Sequence, residues 1–213
     1  MSPEVLQDLE SPGERAAAAH SRAWRLFAEA FGYPEGPLLE AIREGALANA
    51  LRDVLAAIGC LVDESIDWDA LRNAGRDDEL AVEYTRLFDV GVSGPPCPLY
   101  GGLYGDARMK TMEEAVRFYN HFGLTLSEEP RELPDHLTTE LEFLHYLAFR
   151  EAEALQTGAD PGPFQRAQRD FVARHPGRWV PRLRERLAAQ DPPPFYLELV
   201  RALEALLGTP CSA

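Results

Sequence analysis

An all-α, single-domain helical bundle of seven to nine helices is the fold the sequence predicts, on three observations. Helix start and stop signals are dense, the apolar residues between them recur at three and four positions, and no alternating run reads as a strand. There is no internal repeat and no low-complexity tract. The only linker-like stretch is Gln156 to Pro163, so residues 1–213 read as one domain, with 1–12 as a flexible lead-in.

The first helix starts at Ser11-Pro12-Gly13-Glu14, where Ser11 caps, Pro12 takes the first helical position and Glu14 completes a capping box. Ala16, Ala19, Ala23, Leu26, Phe27 and Ala30 carry its apolar stripe to about Phe31, and Gly32 and Pro34 stop it. A second helix is expected from Pro37 to Ile58, a short third from Ser65 to Asn73, and a fourth from Asp77 to Asp89 whose core stripe is Leu80, Tyr84, Leu87 and Phe88. Val90 to Ala107 holds too many glycines and prolines for a helix, yet carries Leu99, Tyr100, Leu103 and Tyr104. A long loop with bulky apolar residues is functional or tightly packed.

Helical order resumes at Thr111, which pairs with Glu114 as a capping box, and runs to Gly123. The polar connector Ser127 to Glu132 leads to the longest helix, Pro134 to Leu155, with Leu137, Leu141, Leu144 and Ala148 on one stripe. Asp160-Pro161 caps the next, which ends at His175-Pro176-Gly177. Two more follow, Val180 to Ala189 and Phe195 to Leu207.

Composition excludes several functions. Thirty-five acids against 21 Lys and Arg give a net charge of -14, which repels nucleic acid and anionic lipid and favours basic partners. The charge is uneven: Asp63 to Asp89 holds nine acids and three arginines, whereas Arg166 to Arg186 holds seven arginines against Asp170 and Glu185. That second stretch reads as a solvated face or as a contact for an acidic partner or cofactor phosphates. Cys60, Cys97 and Cys211 are scattered, which suggests neither a disulfide framework nor a zinc site. Acids occupy the first ten residues, and no stretch approaches the roughly 18 apolar residues of a membrane span. A cytoplasmic protein with no stable membrane association is expected.

Catalytic motifs are missing: there is no GxxxxGK[ST], no GxSxG, and no base beside Cys97, the one cysteine in a loop that could expose a thiol. Glu142-Phe143-Leu144-His145 is an ExxH unit of the kind found in carboxylate-bridged di-iron bundle enzymes, the rival functional reading. Such a site needs a second ExxH, and His20, His121, His136 and His175 all lack a Glu three residues upstream. The expectation is a protein that is not an enzyme and holds neither metal nor cofactor. Asp135, His136 and Glu140 say more, because His136 and Glu140 share a helix face and Asp135 stands at the helix start. Either Asp135 caps the helix and Glu140 pairs with His136, or the three form a receptor for a cation. A charged histidine is unfavourable at a helix N-terminus, which points to the second.

Three blocks then resemble one family: Glu83-Tyr84-Thr85-Arg86-Leu87-Phe88, Pro95-Pro96-Cys97-Pro98-Leu99-Tyr100-Gly101-Gly102-Leu103-Tyr104, and Asp135-His136-Leu137-Thr138-Thr139-Glu140-Leu141-Glu142-Phe143-Leu144. With Phe171, His175, Trp179 and Pro181 the likeness covers roughly residues 15 to 190, and it is to the TorD/DmsD/NarJ redox-enzyme maturation chaperones. Where many members have a serine and a glutamate near the loop tyrosine, this chain has Leu99-Tyr100-Gly101-Gly102. That is more similar to the branch serving ethylbenzene, dimethylsulfide, selenate or chlorate oxidoreductases. The resemblance implies a cytosolic chaperone that binds the twin-arginine leader and apo-form of a molybdoenzyme catalytic subunit and assists cofactor insertion, as a monomer or domain-swapped dimer, with molybdopterin delivery proteins as further partners. On the resemblance the peptide-binding residues are Asp135, His136, Glu140, Tyr84, Phe88, Tyr100, Leu103 and Tyr104. A basic and apolar leader would need carboxylates beside an apolar cleft.

Overall fold

Ser11 fixes the start of the first helix: its Oγ accepts the Glu14 N–H at 3.1 Å, and the Glu14 carboxylate returns to the Ser11 hydroxyl and the Glu10 N–H, each at 2.8 Å. The computed structural model describes residues 9–60, 62, 65–73, 75, 78–92, 94–105, 107–125 and 132–209. Of the expected lead-in, residues 1–8 lie outside these, while Ser11 and Pro12 belong to the helix start.

The helices are α1 (Pro12–Ala30), α2 (Gly36–Arg43), α3 (Ala46–Ile58), α4 (Trp68–Leu71), α5 (Glu79–Tyr84), α6 (Arg108–His121), α7 (Leu137–Thr157), α8 (Gly162–Arg174), α9 (Pro176–Ala188) and α10 (Pro194–Gly208). Among the described residues that is nine helices of six residues or more and the four-residue α4, with no strand. The all-helical expectation is met.

Boundaries differ where tertiary geometry decides. The single helix expected from Pro37 to Ile58 is two, broken at Gly45, whose φ of 71° is left-handed and begins α3 in a new direction. Arg72 packs its stem against that glycine, 3.2 Å from where a Cβ would stand. Thr111 does not cap; its hydroxyl donates back to the Ala107 carbonyl, and α6 begins three residues earlier than expected. The fourth helix ends as a π turn over Thr85–Asp89, with the Val90 N–H reaching the Thr85 carbonyl. The wider turn sets Tyr84 and Phe88 5.2 Å apart, both against Tyr196 of α10.

The core forms where α1 lies along α7, with α3 on the other side of α1, α8 against α7 and α9, and α10 against α9 and α4. Trp24, Phe27, Leu51, Leu55, Leu137, Leu141, Leu144 and Leu147 are fully buried. Each contributes about 1.5–3 kcal/mol relative to an exposed position. An aromatic group of Tyr119, Phe143 and Phe171 closes the end where α6, α7 and α8 meet.

The loop between the π turn and α6 docks on the start of α7. Cys97 N–H bonds the Leu87 carbonyl at 2.9 Å, Gly101 N–H the Asp135 carbonyl at 2.8 Å, and Leu137 N–H the Leu99 carbonyl at 2.8 Å. Tyr100 and His136 thereby face each other as a single antiparallel bridge. The short 3₁₀ turn Gly101–Leu103 follows.

Candidate functional site

The docked loop sorts the expected site residues into an inner and an outer group. Inside, Asp135 and Glu140 are both 0 % exposed. Asp135 does not cap α7; its Oδ2 accepts the Gly102 N–H at 2.9 Å and holds the loop. Glu140 does not pair with His136; its Oε2 accepts the Trp179 indole N–H at 3.0 Å, and its Oε1 lies 3.6 Å from His175 Nδ1, beyond hydrogen-bond length. Burial pushes the Glu140 carboxyl up to about 7, against the opposing pull of His175 and Trp179. Neither carboxylate reaches solvent, so the cation receptor expected of this pair is corrected to an internal polar tie between α7, α9 and the loop.

His136 is itself the cap of α7. Its Nδ1 takes the Thr138 N–H at 3.3 Å and meets the Thr138 hydroxyl at 2.7 Å, which needs the neutral ring. Burial holds its pKa below the usual histidine value, outweighing Glu132 and Asp135. Its place at a helix start therefore has a structural reason, contrary to the expectation that charge would make it unfavourable there.

Tyr104 is also inside, stacked on Trp179 with ring centres 5.2 Å apart, under the guanidinium of Arg186 at 4.4 Å, while Arg182 donates to its carbonyl. Two residues of the arginine-rich stretch thus clamp the loop, and Arg184 pairs with Glu204 of α10 at 2.6 Å. Phe88 is buried. Leu103 stands at the loop tip, 37 % exposed, with the exposed Leu133 preceding α7.

The outer group is a tyrosine surface. Tyr100, half-buried, donates its hydroxyl to Glu132 at 2.5 Å and sets its ring against His136 at 4.8 Å. Glu132 Oε2 also stands 3.9 Å from His136 Nε2. Tyr84 donates to the Phe31 carbonyl at 3.1 Å and packs edge-on against the exposed Tyr33 at 5.5 Å. Its hydroxyl is pushed up to about 12, first by burial and then by the charges of Glu132 and Asp89. Tyr33 and Glu132 were not among the expected site residues. Glu132 stands four residues before His136, and that spacing was the signal for it. Glu128 and Glu129 of the same connector lie outside the described residues.

Other expectations resolve separately. Cys97 is fully buried, with its thiol pushed up to about 11 by burial, so the loop does not expose it. His145 meets the Ser21 hydroxyl at 2.8 Å, while Glu142 is exposed. Among the described residues no group of three His, Cys, Asp or Glu could hold a metal ion, and no helix is long and apolar enough to cross a membrane.

The family model for the nitrate reductase delta subunit matches residues 40–185. The chain belongs to that family. It is similar to a selenate reductase assembly chaperone of Thauera selenatis, 41 % identical over 62 % of this chain and 72 % of that protein, and to a dimethyl sulfide dehydrogenase assembly chaperone of Rhodovulum sulfidophilum, 33 % identical over 92 % and 82 %. A solved structure described as a redox enzyme maturation protein of Archaeoglobus fulgidus covers 97 % of this chain and 99 % of its own at a TM-score of 0.50. At 20 % identity it supports the fold alone. The resemblance seen in the three sequence blocks agrees with this membership, and the delta-subunit family match spans the π turn, the docked loop and the start of α7.

Proposed function

We propose that this delta-subunit family member is a cytoplasmic assembly chaperone for the catalytic subunit of a molybdenum-dependent oxidoreductase. It holds the basic N-terminal leader of the unfinished client while cofactor is inserted, before export. Support comes from the relatives, which are named as assembly chaperones for selenate, chlorate and dimethyl sulfide enzymes, and from the net charge of -14. The observation that carries the leader reading is the outer surface, where the carboxylate of Glu132 accepts the Tyr100 hydroxyl and its charge is felt at Tyr84, which packs against the exposed Tyr33.

A leader arginine needs a carboxylate for its guanidinium fork and an aromatic face for its plane. Glu132 keeps acceptor capacity beyond the Tyr100 hydroxyl, since an ionised carboxylate has about four lone-pair sites. Leu103 and Leu133 extend the surface with apolar area for the segment that follows the arginines. Asp135, His136, Glu140 and Tyr104 act from beneath by holding the loop in place.

Titrating a labelled leader peptide into the purified protein tests the proposal. Glu132→Gln is expected to weaken binding about tenfold, the loss of one charge-assisted hydrogen bond of about 1.5 kcal/mol. A leader with its arginines replaced by glutamine should bind the wild type and Glu132→Gln alike. No binding of any client leader to the wild type defeats the proposal.

A further inference from the structure

The charge around the docked loop changes sign along its length. At Tyr100 the neighbour is a carboxylate, that of Glu132 at 2.5 Å. Across the short 3₁₀ turn the neighbours are guanidiniums: Arg186 lies over the Tyr104 ring and donates to the Leu103 carbonyl at 3.5 Å, and Arg182 donates to the Tyr104 carbonyl. From Tyr100 to Leu103 is three residues, about 6 Å of 3₁₀ rise.

Two further arginines extend the basic end. Arg108, at the start of α6, lays its stem on the turn, with Cγ 2.8 Å from where a Cβ on Gly102 would stand. Arg178 precedes Arg182 by one turn of α9, and both are exposed with Arg186 on one face of that helix. Among the described residues none of these four arginines meets a carboxylate, and the guanidiniums of Arg108 and Arg178 have no partner at all. Elsewhere Arg72, Arg86, Arg117, Arg150, Arg184 and Arg201 each have one. In a chain with 35 acids against 21 Lys and Arg, this is where charge complementarity is left unfilled. The exposed apolar side chains stand beside both ends: Leu133 adjoins Glu132 in the chain, Met109 adjoins Arg108, and Leu103 lies at the loop tip.

We infer that this surface fixes the direction of the bound client segment by its change of charge: arginines of the segment at Glu132, apolar residues over Leu133, Leu103 and Met109, and a carboxylate beyond them at Arg108 and Arg178. This rests on the leader-binding reading and adds the class of residue that follows the apolar stretch. A carboxylate takes the guanidinium fork in a bidentate grip, and Arg108 and Arg178 each have all five N–H donors to give. A segment basic at both ends would meet like charge there, and a reversed segment would meet it at both ends. Direction is therefore selected by repulsion as well as by contact.

The experiment uses the full chain and a labelled leader peptide extended after its apolar stretch by two glutamates, two serines or two lysines. A fourth peptide carries the glutamates before the arginines instead. The glutamate extension is expected to bind about tenfold tighter than the serine one, the gain of one charge-assisted contact, and the lysine extension more weakly than either. The fourth peptide should gain nothing. Arg108→Gln with Arg178→Gln, both at exposed positions, should bring the glutamate extension to the level of the serine one and leave the serine one unchanged; thermal melting at the wild-type midpoint shows that the fold is kept. If the glutamate and serine extensions bind alike while Glu132→Gln weakens both, the directional surface is wrong and the leader reading stands. If the double variant weakens all four peptides equally, the arginines act on the fold or as a general field and the inference is equally wrong. If the wild type binds none of them, the leader reading beneath it falls.

Discussion

At the residue scale, two buried titrations oppose each other within one turn of α7. Glu140 has its pKa raised to about 7 by burial, so the folded state binds the proton more tightly than the unfolded chain. Its contribution is full at pH values below the ordinary carboxylate pKa and is lost as pH rises through about 7. His136 is lowered by burial, so its contribution is present above the ordinary histidine value and is lost as pH falls, when protonation of Nδ1 removes the α7 cap. Between about pH 5 and 7 the two slopes cancel in part, each limited to about 1.4 kcal/mol per pH unit for one proton. Glu140→Gln removes one of them. Denaturant midpoints of that variant should rise with pH up to about 6.5, on the histidine alone, while the wild-type profile is flatter or falls. A variant profile parallel to the wild type would mean that Glu140 does not titrate in this range. The same residues mark where sequence reading stops. Asp135 and Glu140 were visible as carboxylates at a helix start, but the partners that turn them inward, Gly102 and Trp179, lie 33 and 39 residues away. Spacing along one helix carries no information about them.

At the element scale, helix ends were legible where their chemistry is local. Ser11 and Glu14 close a cap within three residues, and α1 begins and ends within one residue of expectation. The break at Gly45 was not legible, because a glycine inside an apolar pattern reads equally as tolerated or as left-handed until Arg72 packs against it. The loop motif Leu99-Tyr100-Gly101-Gly102 was visible as a break in the helical pattern, and the structure shows why its two glycines are needed. A Cβ on Gly101 would stand 2.7 Å from the Trp179 indole nitrogen, and one on Gly102 would stand 2.8 Å from Asp135 Oδ2 and 3.0 Å from the Arg108 backbone. Trp179 is itself pinned by Glu140 and Tyr104, so it cannot withdraw. Gly101→Ala is therefore expected to lift the loop, costing about 1–3 kcal/mol as an overpacked core position does. Since that loop carries Tyr100, leader affinity should fall along with the melting temperature. Retained stability with retained binding would show that the loop does not need this close approach.

At the scale of the whole molecule, the fold class was legible because helical periodicity and punctuation repeat many times and no one error changes the sum. The placement of charge was only half legible. Of the described acids between Asp63 and Asp89, Asp67, Asp69 and Glu79 do gather around one surface cavity beside Leu80 and Phe195, though Asp69 is paired with Arg72. The arginines from Arg166 to Arg186 do not form one face, since Arg182 and Arg186 are spent on Tyr104 and Arg184 on Glu204. With a net charge of -14 and its acids set beside exposed aromatic area, the molecule should draw a basic leader from a distance as well as grip it on contact. These two effects separate by salt. Screening length falls from about 30 Å at 0.01 M to about 8 Å at 0.15 M, which suppresses the long-range pull and spares contacts at 3 Å. Association rates of the leader should therefore drop steeply over that range while dissociation rates change little, and Glu132→Gln should raise the dissociation rate at every salt concentration. Stopped-flow mixing of a fluorescent leader resolves both. An association rate independent of salt would mean that the acidity of the chain serves solubility alone and that recognition is confined to the contact surface.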